Sequence, residues 1–335
     1  MSDRVKLALV GCGAISDWHR NALREVPELA ITAAVDVDGE RAAAVAAEYA
    51  AAAYPSLEAA LADGEFDAVD LMLPHHLHED LAIAALGAGK HVLLEKPMAP
   101  SVDACNRILA AASRSPGVFM VAENAQYWPE VLIAKRLIDG GAIGELVTGQ
   151  VHLFYPPLPA YYGGERAWRM SASKSGGGVS VDTGSHYIRP LRMWFGEIEE
   201  VVAAMERPYA RMEGESLARA LFRFRSGHVA SFDLMLTEAP IGRQEIFRIS
   251  GTRGEILIGA GLVLYDEASR GGRRVDEDVP QGYMRSYVGQ FRDFANAVLT
   301  GSPLAAGPEE SLGELRTALA MERSAASGRW EKVWE

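Results

Sequence analysis

The pattern of apolar and polar positions divides the chain into two parts with different secondary structure. As far as Ala122, short apolar runs typical of buried strands alternate with amphipathic or Ala-rich stretches typical of helices. The predicted strands are Val5–Val10, Ile31–Val35, Ala68–Leu73, His91–Leu94 and Val118–Ala122, and the predicted helices are the stretch that follows Ser16 and ends at Leu23, Ala42–Ala53, Glu79–Ala88 and Val102–Ser113. This order predicts a parallel sheet with helical crossovers, whose ligands bind at the carboxyl ends of the strands.

After Pro129, strand-like segments follow one another with turn residues between them, which is typical of an antiparallel sheet. These segments are Leu146–Tyr155, Glu199–Ala204, Ala218–Phe224, His228–Leu236, Glu245–Ser250, Gly254–Ile258 and Leu262–Tyr265. The fold class is therefore α/β, with a doubly wound parallel-sheet domain over residues 1–123 and an α+β domain over residues 124–335. The C-terminal helix of the second domain could pack back on the first.

One loop-rich stretch, Tyr155–Ser175, contains several prolines and the pair Gly163-Gly164. It follows the first predicted strand of the second domain. Long loops in compact domains often cover binding clefts, so this stretch is predicted to form a lid.

The first predicted strand ends in a glycine-containing loop that is typical of dinucleotide-binding folds. Gly11 permits a tight turn, and Gly13 lets the backbone approach a pyrophosphate. Ser16 stands where this fingerprint usually has a third Gly or Ala, and it is small enough for close packing of helix on strand. Ala14 and Ile15 lie where the helix starts, and its N–H groups and positive dipole end would face the phosphates.

The second predicted strand ends at an acidic residue, Asp36. A carboxylate at this position can accept hydrogen bonds from both ribose hydroxyls of an adenosine, and it repels a 2′-phosphate. NAD is therefore expected in preference to NADP. Arg41 leaves an alternative open, because a nearby guanidinium could pair with a phosphate or lie solvated at the start of the next helix.

Two further segments carry candidate chemistry. Lys96, in the triplet Glu95-Lys96-Pro97, follows a predicted strand and would face the reactive end of a bound cofactor. Asp182 and His186 are four residues apart and would share one face if Val179–Phe195 is helical. A carboxylate beside an imidazole can fix its tautomer and favour proton transfer near neutral pH. Pro190 predicts a kink in this helix.

Three histidines, in the segment His75-His76-x-His78, suggest a metal site only weakly. Adjacent histidines on a turn point in diverging directions, and no Cys or carboxylate completes a ligand set. No metal is therefore expected. Pro74 and His75 are expected to border the cofactor, and His78 to be a structural residue at the start of the next helix.

Composition narrows the class of protein further. The chain has 335 residues and 49% hydrophobic content, which is ample for two domains, and no apolar run approaches the ~20 residues that a membrane span requires. No signal peptide is visible, and the two cysteines, Cys12 and Cys105, are too few for a disulfide framework, so a reducing cytoplasm is expected. The formal net charge of −12 argues against a nucleic-acid partner.

Taken in order, these motifs resemble the glucose–fructose oxidoreductase/inositol dehydrogenase (Gfo/Idh/MocA) family. The resemblance covers essentially the whole chain and rests on the loop at Gly11, on Asp36, Glu95-Lys96-Pro97, Trp168-Arg169 and Asp182-x-x-x-His186, and on the terminal helical pattern of Tyr287, Phe291, Phe294, Ala297, Gly301, Pro303, Glu310 and Ser324. It implies an N-terminal Rossmann domain and a C-terminal domain with a large, mostly antiparallel open sheet. That sheet commonly serves oligomerisation, so a homodimer or homotetramer is expected.

The resemblance also implies oxidation of a secondary alcohol on a sugar or cyclitol by NAD, with Lys96, Asp182 and His186 as the catalytic group. Trp168 and Arg169, together with Glu95 and Lys96, would lie near the cofactor, and the substrate-binding candidates are Lys96, Gln126, Tyr155, Asp182, His186 and Arg189. The chemistry requires a base for the hydroxyl proton, for which His186 is the first choice, and Lys96 would stabilise charge on the reacting oxygen.

One residue departs from the family pattern. Many members carry a carboxylate three residues after the histidine, where this chain has Arg189. The guanidinium could recognise a carboxylate or phosphate on the substrate, or it could turn away and pair with an acidic residue.

Two alternatives to sugar or cyclitol oxidation stay open. One is reduction of a keto-sugar in a biosynthetic pathway, which the same site would serve. The other is a non-catalytic nucleotide-binding regulator, although such a protein would need none of Lys96, Asp182 and His186.

Overall fold

The computed structural model describes residues 4–163, 167–276 and 284–335. These residues form two compact units. The first contains the chain up to Asn124 together with the segment from Met284 to Leu312, and the second contains the described residues from Ala125 to Asp276 and from Gly313 to Glu335.

The first unit is built on a parallel sheet. Its elements in chain order are β1 (Val5–Val10), α1 (Ala14–Leu23), β2 (Leu29–Val35), α2 (Gly39–Tyr49), β3 (Ala52–Tyr54), α3 (Leu57–Asp63), β4 (Ala68–Leu71), α4 (His78–Gly87), β5 (His91–Glu95), α5 (Val102–Ala112) and β6 (Phe119–Ala122). Within the described residues the sheet has six strands in the order β3-β2-β1-β4-β5-β6, and neighbouring strands are parallel. The predicted doubly wound sheet is therefore confirmed.

Sequence-local signals explain most of these elements. The strands are mostly apolar because helices cover both faces of a parallel sheet, and Leu7, Leu9 and Leu93 are fully buried. Ser56 and Ser101 accept hydrogen bonds from backbone N–H groups in the first turns of α3 and α5, so each helix begins where its capping residue stands.

The Ala-rich stretch Ala42–Ala53 was expected to be one helix, and this prediction is wrong for its last residues. α2 ends at Tyr49, Ala50 adopts a left-handed conformation with φ 52°, and Ala52–Tyr54 form the edge strand β3 beside β2. Alanine has the highest helix propensity, so composition favoured a longer helix. The strand forms because it pairs with β2, and local sequence does not encode this long-range contact.

The second unit contains a larger mixed sheet. Its elements are α6 (Pro129–Asp139), β7 (Leu146–Tyr155), α7 (Pro159–Tyr162), α8 (Ala172–Ser175), α9 (Ser185–Phe195), β8 (Ile198–Glu206), β9 (Leu217–Phe224), β10 (Val229–Leu236), β11 (Phe247–Gly251), β12 (Glu255–Ile258), β13 (Leu262–Tyr265), β14 (Arg273–Arg274) and β15 (Glu331–Lys332). The order, among strands that the structure describes, is β14-β13-β12-β11-β7-β10-β9-β8-β15. Only β7 and β10 pair in parallel within this set, so the predicted mostly antiparallel sheet is confirmed.

Side chains alternate between the two faces of the mixed sheet. Val151 of β7 lies in register between Phe232 of β10 and Phe247 of β11, and all three side chains are buried. On the other face, Leu221 of β9 is 43% exposed. One face of the sheet therefore belongs to the core of the second unit, and the other exposes Leu221 between the charged side chains of Arg219 and Arg223.

Two long helices complete the chain, α10 (Met284–Thr300) and α11 (Glu310–Ser327), and α10 packs on α1 within the first unit. In the ranges that the structure describes, no helix combines the length and the apolar character that crossing a membrane requires. Residues 164–166 of the predicted lid, including Gly164, lie outside the described residues; the described remainder contains α7, a 3₁₀ turn at Trp168–Met170 and α8.

Candidate active site

The candidate residues fall into two sets, one in each unit. The first set follows the carboxyl ends of strands in the parallel sheet: the glycine loop after β1, Asp36 after β2, Pro74 and His75 after β4, and Glu95-Lys96 at the end of β5. This is the edge at which open α/β sheets bind ligands. The second set runs from the end of β7 into α9, with Gln126 in a 3₁₀ turn that precedes α6.

The glycine loop has the geometry of a dinucleotide site. Gly11 has φ +95°, and a Cβ atom there would lie 2.3 Å from the carbonyl oxygen of Met72. Only glycine fits this position. At Gly13, by contrast, a Cβ would meet no described atom within 4 Å, so the loop is open on the side where a pyrophosphate would lie. Ser16 is buried and its Oγ donates to the Gly13 carbonyl at 2.7 Å, which locks the start of α1 against the loop.

Asp36 is held rigidly beside this loop. Its Oδ2 accepts a hydrogen bond from the Cys12 N–H at 2.8 Å, and its Oδ1 accepts from the Asp38 N–H at 2.9 Å. Each carboxylate oxygen has further lone pairs, which could accept from ribose hydroxyls. Arg41 pairs through Nε with Asp38 at 3.1 Å and its side chain is 60% exposed, so it forms a surface ion pair. Burial raises the pKa of the Cys12 thiol to about 11, so this thiol stays protonated.

The histidine segment after β4 is largely turned into the protein. His75 is 2% exposed, and the ring nitrogens of the fully buried His78 lie 2.9 Å from the carbonyl oxygens of Pro97 and Leu73. Burial lowers the pKa of His78. Throughout the described residues, no group of three or more His, Cys, Asp or Glu side chains could hold a metal ion.

Lys96 follows a buried carboxylate. Glu95, the last residue of β5, is 8% exposed. Its Oε2 accepts a hydrogen bond from the backbone N–H of Lys96 at 3.1 Å, and its Oε1 lies 2.8 Å from Nε2 of His19. Glu95 was expected to border the cofactor, but both of its oxygens bond within the protein. His19 had no predicted role.

In the second set, the helix that carries His186 begins later than expected. The expectation of one helix over Val179–Phe195 is wrong for Val179–Gly184, which form consecutive turns before α9 starts at Ser185. The buried Glu215 explains the difference, because its carboxylate accepts the N–H groups of Gly178 at 3.0 Å and Ser180 at 2.8 Å. Asp182 and His186 therefore do not share the face of one continuous helix.

Asp182 pairs instead with Arg169, which was expected to lie near the cofactor. Its Oδ2 accepts a hydrogen bond from Nε of Arg169 at 3.0 Å, and Asp182 is 4% exposed. The Arg169 guanidinium lies 4.2 Å from the ring centre of Trp168 and 5.0 Å from that of Tyr161. These two rings fix the guanidinium beside the carboxylate through cation–π contacts.

Three hydroxyls form a group that includes Thr183, the residue after Asp182. The Tyr155 hydroxyl donates to Oγ1 of Thr183 at 2.7 Å and lies 3.4 Å from the hydroxyl of Tyr162. Burial raises the pKa of Tyr155 well above its ordinary value, and burial with the nearby Asp182 charge raises that of Tyr162 to about 12. Both phenols are therefore neutral at physiological pH and act as hydrogen-bonding groups rather than as bases.

Two further candidates in this unit are His186 and Gln126. His186 lies on the first turn of α9, partly exposed, with its ring 6.0 Å from that of Trp128. Gln126 lies in a 3₁₀ turn, and its buried Oε1 accepts no hydrogen bond from the described residues. A buried amide oxygen in this condition is suited to a hydroxyl donor from a ligand or a water molecule.

Arg189 is buried in an ion pair. Its Nη2 donates to Oε2 of Glu314 at 3.0 Å, and each side chain is 5% exposed. Arg192 bonds the other oxygen of Glu314 and also pairs with Glu197. The structure therefore favours a structural role for the Arg189 guanidinium over a role in binding the substrate.

Comparison with known proteins follows the division into two units. The model of an "oxidoreductase family, NAD-binding Rossmann fold" matches residues 5–123, and the "GFO/IDH/MocA C-terminal domain" matches residues 131–257. These matches cover more than half of the chain and confirm the resemblance that the motifs carried.

Individual relatives extend over the whole chain. It is 29% identical over 336 residues to 1,5-anhydro-D-fructose reductase from Ensifer adhaerens, which covers 97% of each protein. A solved oxidoreductase from Thermotoga maritima has a TM-score of 0.86 at 30% identity over 98% of both chains. Levoglucosan dehydrogenase in complex with NADH and levoglucosan has a TM-score of 0.89 over 98% of this chain and 99% of that one; its 23% identity shows the fold alone. The chain therefore belongs to the Gfo/Idh/MocA family of oxidoreductases, and its first unit contains an NAD-binding Rossmann domain.

Proposed function

We propose that the protein oxidises a secondary hydroxyl of a neutral sugar, glycoside or cyclitol with NAD, or reduces the corresponding ketone with NADH. The observation that carries this proposal is a set of hydroxyl-binding groups in the second unit. Asp182 and Thr183 lie in the turns that lead to His186, and the Tyr155 hydroxyl bonds Thr183. Carboxylates and neutral hydroxyls are the groups that bind polyols. The anhydro-sugar substrates in the names of two relatives support the same class.

Each residue has a defined part in the proposed reaction. NAD, which the glycine loop and Asp36 would hold, would supply the acceptor for the hydride of the carbinol carbon. The His186 imidazole takes the hydroxyl proton, and the Lys96 ammonium donates a hydrogen bond to the oxygen as negative charge develops on it. Asp182, held by Arg169, would orient the substrate hydroxyl or the imidazole. In reduction the proton moves in the opposite direction.

The preference for a neutral substrate follows from the charged groups of the second unit. The Arg189 guanidinium is occupied by Glu314, and the Arg169 guanidinium by Asp182. Tyr155 and Tyr162 carry no charge at physiological pH. An anionic substrate would have to compete with these internal carboxylates for a cation.

The test is turnover with a panel of compounds, followed by NADH absorbance. The panel should contain neutral sugars, anhydro-sugars, glycosides and inositols, with uronic acids and sugar phosphates as charged counterparts of the same ring. We expect the highest kcat/KM with a neutral compound. Selective turnover of the charged counterparts would contradict the proposal, and NADH binding without turnover of any compound would support a regulator.

The preference for NAD over NADP is a separate prediction. Asp36→Ser is expected to raise the ratio of NADPH to NADH affinity about tenfold or more, because it removes a charged acceptor of the ribose hydroxyls and a repulsion against the 2′-phosphate. Fluorescence titration of both reduced cofactors measures the ratio. Asp63→Ser, at an exposed acidic residue that ends α3, is the control and should leave it unchanged. Tighter binding of NADPH than of NADH to the unaltered protein would contradict this assignment.

We also propose that the protein self-associates through the exposed face of the mixed sheet. Leu221 is 43% exposed in the middle of β9, and a charge there would be buried in such an interface. Leu221→Asp is therefore expected to shift the protein towards a monomer in analytical ultracentrifugation. Leu299→Asp, at a similarly exposed leucine (41%) on α10, is the matched control. An unaltered protein that sediments as a monomer would exclude this interface.

A further inference from the structure

The first unit contains a fully buried histidine whose two ring nitrogens both face carboxylates. Nδ1 of His19 lies 2.7 Å from Oδ2 of Asp70, and Nε2 lies 2.8 Å from Oε1 of Glu95. The His19 and Asp70 side chains are 0% exposed and that of Glu95 is 11% exposed. Burial of such a cluster costs free energy, because its charged groups lose their hydration.

Two carboxylates facing both ring nitrogens favour a doubly protonated His19. When both carboxylates are ionised they only accept hydrogen bonds, so each ring nitrogen donates one and the ring is an imidazolium. Burial raises the pKa of Asp70, and the His19 charge opposes this shift. Burial alone would lower the pKa of His19, but the charges and hydrogen bonds of Asp70 and Glu95 raise it to about 10. The rings of Tyr287 and Phe291, from α10, lie 5.2 Å and 5.1 Å from the imidazole and pack against it.

The cluster joins three elements that carry the cofactor site. His19 is on α1, the helix that begins at the glycine loop. Asp70 is on β4 in register with Leu93 of β5, and Glu95 is the residue that ends β5. The second oxygen of Glu95 accepts the backbone N–H of Lys96 at 3.1 Å. A continuous series of hydrogen bonds therefore runs from the dinucleotide helix to the backbone of Lys96.

We propose that His19 is a positioning residue: as a buried cation between Asp70 and Glu95, it holds the strand end that carries Lys96 in fixed register with the dinucleotide loop. This inference rests on the proposed function of Lys96 as the group that polarises the substrate oxygen. A neutral side chain at position 19 would leave two carboxylates without their cation and would release the Glu95–Lys96 turn.

The first experiment needs no substrate. With ¹⁵N-labelled histidine, NMR of the unaltered protein at pH 8 should show a ring with both nitrogens protonated, and this signal should disappear in His19→Gln. His91 of the same unit, whose Nδ1 accepts the Val118 N–H at 2.9 Å and whose pKa burial lowers, should give a neutral signal at the same pH. A His19 ring with one unprotonated nitrogen at pH 8 would overturn the proposal, whatever reaction the enzyme performs.

The second experiment separates positioning from stability. His19→Gln is expected to lower kcat at least about tenfold while the Kd for NADH changes less than about threefold. His19→Gln/Glu95→Gln, in which no unpaired Glu95 charge is left, should recover part of the lost kcat. His91→Gln, at the opposite end of β5, is the matched control and should keep normal kcat.

These measurements test the proposed function and the positioning role of His19 separately. If the unaltered protein turns over none of the compounds, the proposed function fails and the NMR result alone decides the charge of His19. If the unaltered protein is active and His19→Gln retains its kcat, the positioning role is excluded. A His19→Gln protein that loses NADH affinity and kcat in parallel would likewise exclude it, because such a change indicates a general disruption of the fold.

Discussion

Lys96→Met and His186→Ala are each expected to lower kcat about 100-fold or more, with a change in the Kd for NADH of less than about threefold. The physical reason is that both groups act on the reacting oxygen, where negative charge develops only as the hydroxyl proton leaves. A hydrogen bond that strengthens in the transition state affects kcat more than it affects ground-state binding. Steady-state kinetics and NADH fluorescence titration measure the two quantities separately.

The controls for this prediction are a lysine and a histidine of the second unit. Lys135→Met removes an exposed lysine that pairs with Asp139 one helical turn away, and His152→Ala removes a histidine on the mixed sheet, 3.8 Å from Asp233. Both variants should keep near-normal kcat. A variant of Lys96 or His186 that did the same would remove that residue from the mechanism.

Much of the first unit could be predicted because its signals are local. Gly11, Gly13 and Asp36 each mark a strand end, and the apolar runs between them identify the buried strands. The edge strand at Ala52–Tyr54 could not be predicted, because its alanines favour a helix and only pairing with β2 makes it a strand.

The contacts of the site were less predictable, because they join residues that are distant in sequence. The Glu215 carboxylate accepts hydrogen bonds from N–H groups of a segment that begins 37 residues earlier in the chain. As a result, α9 begins at a later residue than the sequence predicted. Arg169 reaches Asp182 across 13 residues. One signal was available: Asp70 stands in the middle of an apolar run, and a carboxylate buried in a strand requires a cation such as His19.

The position of Arg189 shows how a departure from a family pattern can be misleading. An unusual charge near a candidate histidine suggests a substrate contact, but burial beside a carboxylate gives the same charge a structural role. The acidic partner, Glu314, is 125 residues away in sequence, so no local pattern could identify it. Two arginines, Arg189 and Arg192, share this glutamate, so its removal affects the charge balance of both.

Glu314→Gln is expected to lower the free energy of unfolding by about 3–5 kcal/mol, which is the usual cost of removing one partner from a buried ion pair. It leaves two buried guanidinium groups, on Arg189 and Arg192, without their shared carboxylate. Arg189→Met should cost less, because Arg192 still neutralises Glu314. Urea denaturation followed by circular dichroism measures both changes, and Glu309→Gln, at an exposed glutamate just before α11, is the control that should have little effect.

The same Arg189→Met variant also tests the substrate assignment. If the guanidinium only balances Glu314, KM should change equally for a neutral compound and for its charged counterpart, because neither contacts position 189. A rise in KM of about tenfold or more for the charged compound alone, with unchanged stability to urea, would show that Arg189 binds an anionic group. The buried pair at 3.0 Å, with each side chain only 5% exposed, leads us to expect the loss of stability and no selective change in KM.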